Sequence, residues 1–391
     1  MMADPPVSLD RNRRPADQVA PVAVSRHAVR LDSLTGLRFY AALIVVIDHT
    51  LAALFPGAWL TKAFSLGGVG VSFFFILSGF VLTWSRDERQ GAHHFWRNRF
   101  ARVYPLHALT WLGAGLIILA GDESVSVPAA LAALLLIQSW SPDPDVYFAM
   151  NGPSWSLSDE AFFYAAFPFL APRVLRRSKD FLIRAIPLAV VGVAMGTLAM
   201  HVLLPQGTTV TYLYINPVYR IWEFVFGIAL AALMRSGLSR VPSLRWAVAA
   251  VVAGLVLIAT LHVLLVEGLG IFEGVLPAGI PTHFASLALV PLFAWLIIAA
   301  AQCDRAEEGS HFSRAEIVTL GRWSFGLYLA HYPIIMVLED MSPDNWVNQV
   351  RLVVIIVVIG SSIVVSGLLH KFVEAPIERR LRVRRESRRA N

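Results

Sequence analysis

The chain has 391 residues, 56% of them hydrophobic and only 15% charged, with a mean hydropathy of +0.61. A soluble chain carries roughly 25% charged residues, so the shortfall excludes a water-soluble enzyme, a nucleic-acid reader and a disordered scaffold. The net charge of +6, from 33 basic and 27 acidic residues, gathers in the termini and short loops. It therefore speaks of topology at a membrane and not of nucleic acid.

In chain order, residues 1–30 are polar, Pro-containing and Arg-rich, which reads as a disordered cytoplasmic tail. The first apolar run begins near Leu37, behind a long polar lead and without a small-residue cleavage site. It is expected to stay as a membrane helix and not to act as a signal peptide. Apolar stretches, most near the length of about 20 residues that crosses about 30 Å of hydrocarbon, lie at 37–55, 66–84, 105–120, 127–138, 157–171, 182–204, 217–234, 246–266, 282–301, 318–338 and 350–373. Basic clusters sit at Arg97, Arg99 and Arg102, at Arg173, Arg176, Arg177 and Lys179, at Arg235, Arg240 and Arg245, and beyond Arg379. The positive-inside rule requires all of them to be cytoplasmic. Counting every stretch as a span places Arg173–Lys179 outside. Leaving out 127–138, too short to cross at a rise of about 1.5 Å per residue, places every cluster inside. The expectation is an all-α, polytopic transmembrane helical bundle of about ten spans with both termini cytoplasmic. Its membrane domain covers 31–378 and a basic cytoplasmic tail follows over 379–391. The stretch 121–156 becomes an external segment, free to dip back toward the membrane. The single cysteine, Cys303, excludes an intrachain disulfide framework.

Charges within spans cost about 2.5–3.5 kcal/mol each at mid-helix and mark function more often than structure. The first span carries Asp48-His49, Glu160 follows Trp155 at the start of another, and His331 precedes Pro333. His49 lies about 18 Å into an outward-running helix, His331 at a similar depth in a second, and Glu160 opens an inward one. Two imidazoles and a carboxylate at one level form a general-base constellation, the carboxylate orienting a histidine that takes a proton from a hydroxyl. At the inner face, Arg99 and Arg102 share one side of a helix, and paired guanidiniums grip phosphate bidentately. From composition alone, a plain topology signal explains that pair equally well, as a structural hydrogen bond explains a lone histidine. Glu223 and Glu374 read as structural partners of Arg220 and Lys371. Trp155 and Tyr164 read as interfacial belt residues, and the glycines at 67, 68, 70 and 79 as close helix packing. No P-loop, nucleophile elbow or zinc signature is present, so neither metal nor ATP is implied.

Six elements then occur together in one order. Leu31-Asp-Ser-Leu-Thr-Gly36-Leu-Arg38 leads to His49 with ten residues between Arg38 and His49. Gly70-Val-Ser-Phe-Phe-Phe-Ile-Leu-Ser78-Gly79-Phe80 follows, then Arg99-x-x-Arg102 with Tyr104-Pro105, then Trp155-Ser-Leu-Ser158-Asp159-Glu160. Ser324-Phe-Gly-Leu-Tyr328-Leu-Ala-His331-Tyr-Pro333 and Glu374-Ala-Pro376 complete the set. Over residues 31–380 this pattern resembles the acyltransferase 3 family of integral membrane acyltransferases. Ala161 stands where many relatives carry a second acidic residue, which leaves Glu160 as the carboxylate. The resemblance implies transfer of a short acyl group, commonly acetyl, from a coenzyme A thioester. The acceptor it implies is a hydroxyl of an envelope glycan, lipopolysaccharide, exopolysaccharide or glycosylated natural product such as a macrolide-type glycoside. By the same resemblance Arg99 and Arg102, with Arg38 and Tyr104, hold the anionic acyl-CoA (acetyl-CoA above all) at the cytoplasmic side. His49 is the base or acyl carrier, supported by Asp48, Glu160 and His331. The implied partners are acyl-CoA, a carbohydrate or glycoside acceptor and the lipid bilayer of a bacterial inner or plasma membrane. Members often carry an extracytoplasmic domain; here acceptor recognition is expected from the membrane domain alone or with partners. The competing class is a proton-coupled polar-solute transporter relaying protons through His49, Glu160 and His331. No inverted repeat supports it, and an arginine pair is unusual in a solute path.

Overall fold

The computed structural model describes residues 30–56, 61, 67–88, 90–121, 124–203, 211–266, 282–340 and 348–386. The tail expected over 1–30 lies outside the described residues except for Arg30, as do residues 387–391 of the basic tail. Among the described residues every regular element is helical. In order these are α1 (Asp32–Leu54), α2 (Val69–Trp84), α3 (Ala92–Ala120), the short α4 (Val127–Leu134) and α5 (Pro144–Tyr147), and α6 (Trp155–Leu175). Then come α7 (Lys179–Leu203), α8 (Pro217–Arg235), α9 (Leu244–Val266), α10 (Thr282–Arg305), α11 (Ala315–Asp340), α12 (Asn348–Leu369) and α13 (Ala375–Glu386). Among the described residues, seven helices are long and apolar enough to cross a membrane, those built on α1, α3, α7, α8, α9, α10 and α12. Helix α2 is apolar but has only 16 residues, while α6 and α11 carry the polar residues of the site.

Local signals set several helix starts. The Asn216 side chain accepts the Val218 N–H at 3.0 Å, with Pro217 in the first turn of α8. Ser126 caps α4 in the same way through Ala129. That helix has eight residues, about 12 Å of length, far short of a span. It is tied to α3 by His107 Nε2 against the Ala133 carbonyl and by the Trp111 indole N–H donating to Ala130, both at 3.0 Å.

Two backbone-close crossings organise the centre. Where α2 meets α8, a Cβ on Gly79 would overlap the Phe224 carbonyl, and one on Gly227 the Ile76 carbonyl. Small residues let apolar helices approach this closely. Where α1 meets α11, Gly321 lies against the Thr35 carbonyl, and His49 meets His331 some 14 residues further along α1. Both contacts advance in the same direction along both chains, so α1 and α11 run parallel. Helices α7, α9 and α12 turn side chains such as Leu188, Val202, Val256 and Ile356 outward, each more than half exposed, as suits contact with lipid.

Helix α6 runs the other way, and the segment before it is sunk among the helices. Gln138, Ser139, Asn151 and Ser154 are all buried. Leu136 and Met150 adopt left-handed conformations, at φ 57° and 65°, where the segment turns. Its deepest anchor has a specific cause. Pro333 has no N–H, so the Leu329 carbonyl one turn earlier in α11 loses its helical donor. The Asn151 side-chain amide donates to that carbonyl at 2.9 Å.

Candidate active site

The contact between α1 and α11 produces the first half of the site. The His49 and His331 rings meet edge to edge in nearly parallel planes, with centroids 5.2 Å apart at 16°, and His49 Nδ1 lies 3.0 Å from His331 Nε2. His331 is fully buried, and its Nδ1 faces the Leu327 carbonyl at 3.2 Å. A carbonyl only accepts, so in neutral His331 the proton sits on Nδ1 and Nε2 carries a lone pair. The bond between the rings then requires His49 to donate from Nδ1. His49 Nε2 is left with its lone pair, the form able to take a proton. His49 itself is only half buried.

Asp48 does not join this pair. Its carboxylate lies 2.6 Å from where a Cβ on Gly67 would stand and accepts the Gly67 backbone N–H. That places it at the N-terminus of α2, where a negative charge is favourable. Asp48 and His49 are neighbours in sequence whose side chains face different helices.

The second half is a cavity of about 370 Å³ lined by Arg38 of α1, Arg99 and Arg102 of α3, and Glu160 and Tyr164 of α6. It extends past Ser78, Phe74 and Phe75 to Ser156, Phe325 and Tyr328. Four arginines (Arg30 is the fourth) against Asp32 and Glu160 leave the lining cationic. Arg102 is shared with Glu378 at 3.4 Å and Glu374 at 3.8 Å. Arg99 lies 5.8 Å from the Phe95 ring centre, and its Nε has no hydrogen-bond partner among the described residues. Such a surface suits a polyanionic ligand.

Glu160 was expected beside the histidines and lies instead with the arginines, accepting a 2.8 Å hydrogen bond from Tyr164. Because the segment before α6 is sunk, the helix begins at the level of Tyr328, to whose hydroxyl Ser156 is bonded at 2.8 Å. Glu160, one turn further on, comes level with Arg38. Tyr104 lies outside the cavity lining, stacked on Phe100 at 4.5 Å and packed with Val103 and Leu106. Tyr164 and Trp155 are not belt residues. Tyr164 bridges Glu160 and Ser78, and Trp155 is buried against Tyr214. Sequence reasoning passed over Tyr164, Ser156 and Tyr328, although Tyr164 follows Glu160 by four residues and Tyr328 precedes His331 by three, both same-face spacings.

Glu223 pairs with Arg220 at 3.1 Å as expected. Glu374 does not pair with Lys371; it meets His370 at 2.9 Å and Arg102, while Lys371 lies over the Phe372 ring.

A family profile described as an acyltransferase domain matches residues 31–371. The chain is 35% identical over 385 residues to the acyltransferase MdmB of Streptomyces mycarofaciens, an alignment covering 91% of this chain and 94% of that one. It is 24% identical over 378 residues to the peptidoglycan O-acetyltransferase OatA of Listeria monocytogenes, covering 89% of this chain and 56% of the relative. To the O-acetyltransferase OatA of Staphylococcus aureus it is 23% identical over 372 residues, covering 90% of this chain and 57% of the relative. The chain thus spans just over half the length of the OatA proteins. No solved structure matches it.

Proposed function

The chain belongs to the acyltransferase family matched over residues 31–371 and is a multi-pass bacterial membrane protein; from that premise we propose that it moves a short acyl group from acyl-CoA to a hydroxyl of a carbohydrate-containing acceptor, with His49 as general base. The observation that carries this reading is the chain of contacts from the Leu327 carbonyl through His331 to His49, which leaves Nε2 of His49 ready to accept a proton. The acceptor hydroxyl gives its proton to that nitrogen, and its oxygen attacks the thioester carbonyl. The coenzyme A thiolate departs and takes the proton back, so His49 ends unchanged. His331 Nε2 receives the Nδ1 hydrogen of His49 throughout and stabilises the imidazolium that forms. Arg38, Arg99 and Arg102 hold the donor's phosphates. The name of the Listeria relative supports acetyl as the group and a glycan as the acceptor class.

Ten spans with both termini cytoplasmic put the arginine cavity at the inner side and His49 toward the outer one. A reporter fused at residue 178 tests that topology: an external signal there overturns it. For the reaction, the purified full-length protein is given acetyl-CoA and a panel of glycans and glycosides, and ester and free coenzyme A are measured. His49→Ala is expected to lower turnover by about 10²–10⁴ while donor binding persists. Turnover above roughly a tenth of wild type would move the base to His331.

A further inference from the structure

Neither histidine lines the cavity, and Tyr328, which does, is the lining residue that packs against His331. Tyr328 lines the cavity at its apolar end, and its ring centroid lies 6.1 Å from that of His331. Along α11 the two residues are three apart, about 4.5 Å of helix rise. Arg38 lies eleven residues before His49 on the parallel α1, about 16 Å. The route from arginines to histidines therefore runs most of its length through the cavity and ends on the Tyr328 ring.

That ring is held from two sides. Its hydroxyl donates to the Pro153 carbonyl at 2.9 Å and lies 2.8 Å from the Ser156 hydroxyl, both contributed by the sunk segment and the start of α6. Phe74 packs edge-on against it, with centroids 6.2 Å apart. A phosphate-bearing thioester gripped by the arginines points its acyl end at this wall, and its carbonyl must pass the wall to reach His49 Nε2.

Resting on the acyl-transfer reading above, we propose that Tyr328 is the gate between the donor cavity and the histidine pair, and that it selects short acyl groups by admitting only what clears its ring. No bond forms or breaks at Tyr328; it is a positioning and specificity residue. The ring excludes long chains, and the two hydrogen bonds keep water on the histidine side from the thioester between turnovers.

The test compares wild type, Tyr328→Ala and Tyr328→Phe as full-length proteins with acetyl-, butyryl- and hexanoyl-CoA. It reads kcat/KM for each donor, donor Kd, and thioester hydrolysis without acceptor. Tyr328→Ala is expected to raise the hexanoyl-to-acetyl ratio of kcat/KM by about tenfold or more, the scale on which a pocket discriminates methylenes. Acceptor-free hydrolysis should rise with it, and acetyl-CoA Kd should stay within about threefold, because the arginines are untouched. Tyr328→Phe keeps the ring and should keep the wild-type ratio, with hydrolysis raised by loss of the tether. A residue that only packed would lower all three donors alike. An alanine protein that binds acetyl-CoA normally and keeps the wild-type ratio overturns the gate. Tyr328→Leu serves under the same criterion if the alanine variant does not fold. If wild type transfers from none of the donors, the acyl-CoA reading itself fails and the gate falls with it, an outcome separate from an unchanged ratio.

Discussion

Two clusters bury arginine and carboxylate within this bundle, and they are built on opposite plans. In one, Arg220 and Glu223 are each about 1% exposed and 3.1 Å apart. The guanidinium also donates to Ser72 at 3.0 Å and sits over the Phe75 and Tyr214 rings at 5.1 and 5.2 Å. In the other, Arg38, Arg99 and Arg102 face a cavity whose lining carries the carboxylates of Asp32 and Glu160. The first cluster is paired and enclosed by packing; the second has a surplus of one sign and open volume beside it. Burial of charge in a membrane protein marks expense, and only the unbalanced, open cluster marks a place for a ligand.

The largest effect that would break this comparison is expected at the closed cluster. Arg220→Ala strips the partner from a buried carboxylate and should cost about 3–5 kcal/mol of stability, read as unfolding in detergent. The double change Arg220→Met with Glu223→Leu should recover most of that loss, since apolar replacement of a whole buried pair is often neutral. If the double variant is as unstable as the single one, the pair does more than satisfy itself. At the open cluster the prediction reverses. Arg99→Ala should leave stability near wild type and weaken acyl-CoA binding by about 1.5–3 kcal/mol, the worth of a charged hydrogen bond. Arg99→Lys should restore only part, because ammonium cannot form the bidentate fork. An unchanged donor Kd in the alanine variant would refute the donor site. The smallest effect belongs to the rim, where Arg102 and Glu378 are each 30% exposed. Glu378→Ala leaves Arg102 with Glu374 alone and should tighten donor binding by less than about 1 kcal/mol, an effect that fades as salt is raised.

The sequence carried a good part of this arrangement. Hydropathy and charge located the long helices, His49 and His331 were paired by depth, and Arg99 and Arg102 by helical spacing. The Arg220–Glu223 pair was legible from its i, i+3 separation. What it did not carry was axial register between helices distant in sequence. Glu160 was assigned the histidines' level on the assumption that α6 starts at the membrane surface. The helix starts deeper because polar residues such as Gln138 and Asn151 are buried by partners that hydropathy cannot see. Asp48 and Tyr104 lie apart from the other site residues for a related reason: a motif residue and its neighbour point to different helices, so adjacency in a motif says little about adjacency in a site. Tyr328 lies inside a motif whose other residues draw the attention, and nothing in the sequence shows that its ring reaches both the cavity and His331.

The proline two residues after His331 has one more consequence, and it concerns how the protein is made. The carbonyl it frees is claimed by Asn151, 178 positions earlier in the chain. At about 5–20 residues per second, translation leaves that amide waiting roughly 10–40 s for its acceptor. Through that interval the segment leading to α6 lacks its anchor on α11, while α6 itself packs on α8 through Phe163, Phe167 and Phe224. Assembly of the reactive centre is therefore a late event in biogenesis, completed only when the eleventh helix arrives with His331 and the Leu329 carbonyl. A truncated product lacking that helix retains the arginines, His49 and the packing of α6 on α8, but lacks His331 and the carbonyl that anchors the segment before α6.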